Sequence, residues 1–242
     1  MLTLYHFWSS TCSRRVRICL AEKGIEWQSH HVDIIKKMVN LEPWYLALNP
    51  NGVVPALDHD GNVVIESNVI IQYLDDAFAG PVLTPEDPLK RAKMREMLDK
   101  FEHVVHANIN TISYNRRHVP RVSHLSQDAQ RDLILRIGNP DRRQRMLERL
   151  VAGVSADAEA RAEARLADIL DEMEAMLEGR DWLLGEFSLA DISIAPFMER
   201  MEANGLDRLA DLSARPRLGA WWQNLQARAG VIEAFAFSSP DV

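Results

Sequence analysis

The sequence has little cysteine and no long apolar run. Its 242 residues include two cysteines, and no uninterrupted apolar stretch approaches the roughly 20 residues that span a membrane. No basic, signal-like segment precedes the first apolar residues, so we predict a cytoplasmic protein without a membrane anchor. Cations are also in deficit, since 28 Lys and Arg stand against 35 Asp and Glu. The net charge of −7 argues against nucleic acid or anionic membranes as general partners.

The two cysteines are not expected to form a disulfide. Cys12 and Cys19 lie seven residues apart on one predicted helix. This spacing separates their Cα atoms by about 10.5 Å, beyond the roughly 7 Å that a disulfide bridges. No Cys-x-x-Cys pair or zinc-type spacing is present. His103 and His106 form half a metal site, but no third ligand is suitably spaced, so we predict no metal.

The segment 49–76 predicts a strand, a hairpin and a helix. A turn at 49–52 leads into a strand from Val53, and Asp60-Gly61 supplies a tight turn before a second strand at 63–65. A helix then opens at Glu66-Ser67, with Ser67 as the expected N-cap. Its inward face should comprise Ile70, Tyr73, Leu74 and Ala77, and its outward face Gln72, Asp75 and Asp76.

Pro55 gives this segment a possible binding function. It stands at the head of the strand and removes a backbone donor, so Val54 should keep backbone groups without a sheet partner. An extended peptide can pair with such groups, and the helix start at Ser67 offers N–H groups that suit a carboxylate. The pattern favours a site for a peptide ending in a carboxylate. An ordinary edge strand followed by a routine helix cap is the alternative.

The whole chain divides into two parts. The first reads β-α-β-α-β-β-α, with a helix from Ser13 or Arg14 to Lys23, parallel first and second strands, and a final hairpin. We place the first domain at 1–78, a proline-rich linker at 79–88 and an all-helical domain at 89–242. Predicted helices of this second domain cover 87–117, 156–179 and 188–204, the last opening with a Ser188/Asp191 capping box.

An arginine-rich segment at 119–153 interrupts the second domain. The charge pattern favours a helical excursion exposed to solvent over a specific anion site. Its arginines include Arg131, Arg136, Arg142, Arg143, Arg145 and Arg149.

Together these motifs resemble those of the cytosolic glutathione transferases. The resemblance rests on Asn49-Pro50-x-Gly52-x-Val54-Pro55, on Glu66-Ser67, and on the Ser188-Leu-Ala-Asp191 box, and it covers the chain except for the arginine-rich segment. It implies an α/β thioredoxin-like N-terminal domain, an all-α helical-bundle C-terminal domain, and a homodimer. It also implies a cis Pro55 and glutathione bound across Val54, Pro55, Glu66 and Ser67. Many relatives place basic residues near the glycine carboxylate of glutathione, where this chain has Leu41 and Val53. Lys36, Lys37 or Asn40 are the candidate substitutes.

Two residues compete for the catalytic role. The segment 9–18 is similar to the serine-type zeta and theta classes, and alignment on Val16-Arg17-Ile18 puts the thiolate-stabilising serine at Ser10. Cys12 is the alternative, because a cysteine at a helix N-terminus near Arg14 and Arg15 can have a lowered pKa and form a mixed disulfide with glutathione.

The segment 87–95 and the excursion are similar to the bacterial β-etherase branch. The resemblance predicts that glutathione thiolate attacks a hydrophobic, aromatic electrophile, including β-aryl ethers or compounds handled by a detoxifying transferase. Candidate residues of the substrate pocket are Trp8, His106, Asn110 and Tyr114. Isomerisation of maleylacetoacetate-type compounds is less favoured, since no basic pocket for a dicarboxylate is evident. The remaining alternatives are a thiol–disulfide transferase that uses Cys12 and a non-catalytic glutathione-fold binding module.

Overall fold

A four-stranded mixed sheet forms the centre of the first part. The computed structural model describes residues 1–238, and its strands are β1 (Leu2–His6), β2 (Gln28–His31), β3 (Ala56–His59) and β4 (Asn62–Ile65). They lie in the order β2-β1-β3-β4, with β1 parallel to β2 and antiparallel to β3. The parallel first pair and the β3–β4 hairpin confirm the expected topology.

Three helices accompany this sheet: α1 (Thr11–Lys23), α2 (Pro43–Leu48) and α3 (Ser67–Ala77). Helix α1 begins two residues earlier than predicted, because Ser10 serves as its N-cap and accepts a hydrogen bond from the Ser13 amide. The earlier start puts Cys12 in the first helical turn. There, the free N–H groups and the partial positive charge of the helix end favour a thiolate.

Three expectations for α3 are wrong. Ser67 is its first helical residue rather than its N-cap; that position belongs to Glu66, which takes a φ of 68° and makes no side-chain cap. Asp75 faces inward because its carboxylate pairs with the buried Lys23 ammonium at 2.9 Å. The inward face also differs, since Ile71 is buried whereas Tyr73 is partly exposed and Ala77 is exposed.

The predicted helix at 87–117 is a continuous helical path that contains two wider turns. Helix α4 (Pro88–Lys100) leads into a π-helical turn (Phe101–His106), then α5 (Ala107–Ser113), a second π-helical turn (Tyr114–His118) and α6 (Val119–Val122). A π-helical turn changes which side chains face a given side of a helix. These two turns carry His106 and Tyr114, two of the expected pocket residues.

The remaining helices are α7 (Gln127–Leu135), α8 (Pro140–Ala152), α9 (Ala156–Met176), α10 (Leu189–Ala203), α11 (Asp207–Ala210), α12 (Pro216–Gln226) and α13 (Ala229–Ala236). Helix α10 opens with the expected capping box, in which Asp191 accepts a hydrogen bond from the Ser188 amide at 3.0 Å. The buried Asp191 carboxylate also accepts hydrogen bonds from the Trp221 indole at 2.8 Å and the Leu183 amide at 3.1 Å. It therefore joins α10 to α12.

One apolar core runs through both parts of the chain. It extends from Leu4 of β1 and Ile18 of α1, through Ile70 of α3, to Leu170 of α9 and Phe197 of α10. The segment between α3 and α4 contains no regular element. The domain boundary at 79–88 nevertheless remains a prediction, because the core is continuous across it. Within residues 1–238, every helix is too short or too polar to cross a bilayer.

Candidate active site

A cavity of about 780 Å³ lies at the junction of the two parts. The start of α1, the loop before β3 and the helical path 102–122 form three of its walls, and α7 and α8 form the fourth. Eight of the residues expected in a site line it: Ser10, Cys12, Asn40, Val54, Glu66, His106, Asn110 and Tyr114. Trp8, Lys37, Pro55 and Ser67 are not among the lining residues, so the cavity collects most of the expected set.

Ser10 lies at the mouth of helix α1. Its hydroxyl oxygen accepts the Ser13 amide at 3.3 Å, and no acceptor for its own proton lies among the described residues. Buried arginines hold the preceding turn, since Arg17 donates to the Trp8 carbonyl at 2.8 Å and Arg200 donates to the Ser9 carbonyl. The Ser10 hydroxyl is thus fixed in position, and its proton is available to a sulfur atom in the cavity.

Cys12 forms the end of a chain of ionisable groups. Its sulfur lies 3.9 Å from His106 Nε2, and His106 Nδ1 lies 2.6 Å from the Glu102 carboxylate. Arg15 completes the chain by donating to the other Glu102 oxygen at 3.0 Å. All four side chains are at least partly buried. The arrangement suits a thiolate–imidazolium pair in which the carboxylate orients the imidazole.

The pKa values of these groups follow from the mutual contacts. Burial disfavours the charged forms, but the thiolate and carboxylate neighbours outweigh it and raise the pKa of His106 to about 10. For Glu102, burial is outweighed by His106 and Arg15, which lower its pKa to about 2. Burial likewise raises the pKa of the Cys12 thiol, yet the His106 charge and hydrogen bond lower it overall. Cys19 behaves oppositely, because burial raises its thiol pKa.

The loop before β3 has the features expected of a peptide-binding edge. The Val54–Pro55 peptide bond is cis, as predicted, and β3 begins only at Ala56. The Tyr45 hydroxyl donates to the Val53 carbonyl at 2.7 Å, and the Asn40 amide donates to the Gly52 carbonyl at 2.8 Å. Asn40 therefore shapes the loop with its amide nitrogen, while its buried side-chain oxygen has no protein partner among residues 1–238.

Glu66 and Ser67 differ in their surroundings. Glu66 is exposed to the cavity and accepts a hydrogen bond from the Asn51 amide at 3.2 Å. Ser67 is buried behind it and accepts a hydrogen bond from Arg15 at 2.7 Å. Lys37, a candidate for the glycine carboxylate, is exposed and away from the cavity wall.

The other expected pocket residues fall into two groups. Tyr114 is buried, with its ring stacked on His118 at 5.0 Å between centroids and the Arg149 guanidinium 5.5 Å from its centroid. Asn110 is an exposed lining residue. Trp8 instead packs beside Phe7, with ring centroids 5.9 Å apart. It thus supports the turn rather than the cavity wall.

The sequence interpretation of the arginine-rich segment was correct only in part. The segment is helical, and Arg131 and Arg136 are exposed as expected, but α7 and α8 also line the cavity with their other faces. Ile134 and Ile137 pack on Leu41, and Arg142 donates to the Asn51 carbonyl at 2.7 Å. The tight approach of Gly138 to the Pro50 carbonyl, where a Cβ would lie 2.6 Å from the oxygen, fixes this contact.

The sequence analysis did not predict Glu102 or the group that it forms with Cys12 and His106. Glu102 and His106 stand four residues apart on a helix, a spacing that signals a side-chain pair, yet Glu102 was not singled out. Cys12, Glu102 and His106 also form a group of metal-ligand type, with their ligand atoms within 4.8 Å of one another. The spacing of His103 and His106 does not predict this group, because Cys12 comes from a distant part of the sequence. Because Glu102 already pairs with Arg15 and His106, an ion-paired thiol accounts for the geometry better.

Comparisons with known proteins agree with this architecture. The family model of the glutathione S-transferase N-terminal domain matches residues 9–77, and that of the C-terminal domain matches residues 156–223. The chain is 32% identical over 236 residues to tetrachloro-P-hydroquinone reductive dehalogenase of Sphingobium chlorophenolicum, covering 94% of this chain and 92% of that protein. It is 30% identical over 245 residues to protein LigF of Sphingobium sp. (strain NBRC 103272 / SYK-6), covering 97% and 93%.

A solved structure extends the likeness to three dimensions. The crystal structure of the beta-etherase LigF from Sphingobium sp. strain SYK-6 superposes with a TM-score of 0.89 at 29% identity, over 98% of this chain and 99% of that one. The chain therefore belongs to the glutathione S-transferase family, and glutathione is its co-substrate.

Proposed function

We propose that this protein is a glutathione transferase or lyase whose bound glutathione thiolate attacks an electrophilic carbon of an aromatic substrate. The new C–S bond forms as the bond to the leaving group breaks, and the leaving group departs with its electron pair. A β-aryl ether, from which a phenolate would leave, is one substrate consistent with the likeness to LigF. The Ser10 hydroxyl carries the proposal. No described residue accepts its proton, and it lies at the N-terminus of α1.

Other residues of the same cavity support this assignment. Val54 offers backbone groups to the peptide of glutathione, while Glu66 and the start of α3 suit its γ-glutamyl end. A hydrogen bond to a charged group contributes about 1.5–3 kcal/mol, and one pKa unit corresponds to about 1.4 kcal/mol. The Ser10 hydrogen bond should therefore lower the thiol pKa of bound glutathione by about one to two units.

Thiolate absorbance of bound glutathione, titrated against pH, tests the role of Ser10. Ser10→Ala should raise the thiol pKa by about one to two units and slow the conjugation of 1-chloro-2,4-dinitrobenzene and of a β-aryl ether ketone. Thr11→Val, which changes the neighbouring hydroxyl, is the matched control. An unchanged titration in Ser10→Ala would remove Ser10 from the mechanism, and a wild-type protein that binds no glutathione would favour a non-catalytic module.

A second activity at Cys12 is favoured by the contact with His106. In it, the Cys12 thiolate attacks the sulfur of a glutathione mixed disulfide, the new S–S bond links Cys12 to glutathione, and the other thiol leaves as a thiolate. A second glutathione thiolate then attacks this bond, which releases glutathione disulfide and regenerates Cys12. The relative named as a reductive dehalogenase is consistent with thiol chemistry in this branch.

Alkylation and a disulfide substrate test this second activity. Iodoacetamide should modify Cys12 at a lower pH than an ordinary free cysteine, because its thiol pKa is lowered, and should spare the buried Cys19. Cys12→Ser should lose activity on a glutathione mixed disulfide and keep transfer to the dinitrobenzene, with Cys19→Ser as the control. Full disulfide activity in Cys12→Ser would exclude the cysteine route.

We also propose a homodimer formed through α3 and α4. Val69 on α3 and Leu89 on α4 are 51% and 70% exposed, and a two-fold axis would cover the same surface on both copies. Light scattering should give twice the chain mass for the wild type and a lower mass for Val69→Asp with Leu89→Asp. Val151→Asp, at a position on α8 that is 83% exposed, should leave the mass unchanged; a monomeric wild type would contradict the proposal.

A further inference from the structure

The cavity wall is strongly basic in an acidic protein. Its arginines are Arg117, Arg121, Arg142, Arg145, Arg149 and Arg200, and its carboxylates are Glu66 and Glu102. Six positive charges against two negative ones give the wall a net charge of about +4, whereas the whole chain carries −7. Glu102 is already paired with Arg15 and His106. The cavity therefore attracts anions, although the protein surface as a whole does not.

Three of these arginines line the cavity with Ser9 and Ser10, and Arg200 contacts that turn directly. Arg200 on α10 is buried and donates to the Ser9 carbonyl, while its Nε has no protein partner among residues 1–238. Arg117 makes one long hydrogen bond to the Ala203 carbonyl at 3.4 Å, and its buried Nε is likewise unpaired. Arg121 has neither a hydrogen bond nor an ion pair with any described residue. Burial first, and then repulsion by the Arg117 charge, lower the pKa of both Arg121 and Arg200.

Such a cluster is costly without an anion. Partly buried like charges repel each other and lose hydration, and burying a charge costs several kcal/mol unless a partner compensates it. The nearby Glu199 carboxylate compensates only part of this charge, because Arg14 also binds it, and the pKa of Arg200 is still lowered overall. The planar guanidinium fork matches a carboxylate and binds it through paired hydrogen bonds. A neutral aromatic substrate would leave all three groups uncompensated.

Glutathione itself has two carboxylates, but its proposed contacts lie elsewhere. Its γ-glutamyl end is assigned to Glu66 and the start of α3. The loop at 51–52, next to Val54, is contacted by Arg142, which donates to the Asn51 carbonyl at 2.7 Å and the Gly52 carbonyl at 3.3 Å. Arg142 is therefore placed to meet the glycine end. Arg117, Arg121 and Arg200 line the same cavity, and Arg200 contacts the Ser9 turn, where the second substrate would meet the thiolate.

We infer that the electrophile carries a carboxylate, which Arg117, Arg121 and Arg200 bind beside the Ser9–Ser10 turn. That the bound anion is the electrophile rests on the proposed transferase function. The substrate class is thus an aromatic acid with a leaving group, rather than an uncharged aromatic compound. The cluster fixes the acid end of the substrate and so orients the reacting carbon toward the sulfur.

Binding is tested with a pair of unreactive compounds, 3,5-dinitrobenzoate and its methyl ester. Titration calorimetry in the presence of glutathione should show the acid binding the wild type at least about tenfold more tightly than the ester, corresponding to one good charge-assisted contact. Arg121→Met should lose this preference while ester binding stays the same. Arg136→Met, an exposed arginine of the same segment outside the cavity wall, is the matched control.

Turnover is tested separately with 4-chloro-3,5-dinitrobenzoate and its methyl ester, each rate divided by its uncatalysed rate. A preference for the acid that disappears in Arg121→Met, with an unchanged KM for glutathione, supports the inference. Equal binding of acid and ester by the wild type, or a preference that persists in both Arg121→Met and Arg117→Met, overturns it. Tight binding of the acid with no conjugation of either chloride would instead count against the transferase function and leave the anion site standing.

Discussion

The Arg15 guanidinium donates to the Ser67 hydroxyl at 2.7 Å and to the Glu102 carboxylate at 3.0 Å. It also donates to the Ser193 carbonyl at 3.2 Å. One fully buried side chain therefore connects the start of α3, the π-helical turn that carries His106, and helix α10. The start of α3 and the Cys12–His106–Glu102 chain share this single cation. Because Ser67 accepts from Arg15, its own proton remains available for a carboxylate.

Arg15→Met should destabilise the fold strongly. The change leaves Ser67, Glu102 and the Ser193 carbonyl without their donor, and removing one partner of a buried ion pair costs about 3–5 kcal/mol. Denaturant unfolding measures the loss, and Arg95→Met on the exposed face of α4 provides the control. A loss below about 0.5 kcal/mol, the usual range for surface substitutions, would show that the three bonds contribute no net stability.

The Glu102–His106 pair should make folding stability depend on pH. The folded pKa of His106, about 10, lies above its ordinary value of 6.5. The charged imidazole therefore stabilises the fold fully below about pH 6.5, and this contribution declines as the pH rises toward 10. The difference in unfolding free energy between wild type and His106→Phe, measured from pH 5 to 10, should shrink with rising pH. His103→Phe, at an exposed neighbour, should give a nearly constant difference; a flat curve for His106→Phe would contradict the ion pair.

The Asp191 carboxylate should be essential to the packing of α10 on α12. Its removal in Asp191→Ala leaves the donors of Leu183, Ser188 and Trp221 unpaired. Each buried unpaired donor costs about 1–3 kcal/mol, so the total loss should reach at least about 3 kcal/mol. Trp221→Phe removes one donor and should cost less after Asp191→Ala than in the wild type. Strictly additive losses in this double-mutant cycle would argue against the hydrogen bond.

Burial raises the pKa of Asp191 to about 6 despite its hydrogen bonds. The folded chain therefore holds this proton more tightly than the unfolded chain, and stability should fall as the pH rises from about 4 to 6. Asp191→Asn should lack this decrease. Matched unfolding curves at pH 4 and pH 6.5 for the two proteins measure it, and equal pH slopes would contradict the raised pKa.

Arg142→Met should loosen the cover of the cavity. It removes the hydrogen bonds to the Asn51 and Gly52 carbonyls that join α8 to the loop before β3. We expect faster amide exchange in 127–152 and a KM for glutathione raised about tenfold, the effect of losing about 1.4 kcal/mol of binding. Arg143→Met, which affects a bond within the same segment, should leave the KM unchanged. Unaltered exchange in Arg142→Met would mean that the apolar contacts alone hold the cover.

The local features of the fold could be predicted from the sequence. The Ser188/Asp191 box and the Asp60-Gly61 hairpin depend on residues a few positions apart, and both are present in the structure. The inward turn of Asp75 depends on Lys23, which lies 52 residues away, so no helical pattern could predict it.

The candidate site divides in the same way. A sequence motif predicts Ser10 and Cys12 as site residues. The four-residue spacing of Glu102 and His106 is enough to predict that they pair on a helix. The position of the arginine-rich segment at the cavity could not be predicted, because the charge pattern in the sequence is the same for a helix that faces solvent and a helix that faces a cavity. The contact of Gly138 with Pro50 decides between these two cases.

Helix α13 packs on α1, at the opposite end of the chain. Arg17 donates to the Ala234 carbonyl at 3.1 Å, Arg14 lies over the Phe235 ring, and Arg228 pairs with Glu22. During synthesis, about 200 further residues must therefore be added before the outer face of α1 is covered. At about 5–20 residues per second this takes roughly 10–40 s. The turn that holds Ser10 at the start of α1 thus gains its full support only when α13 has emerged from the ribosome.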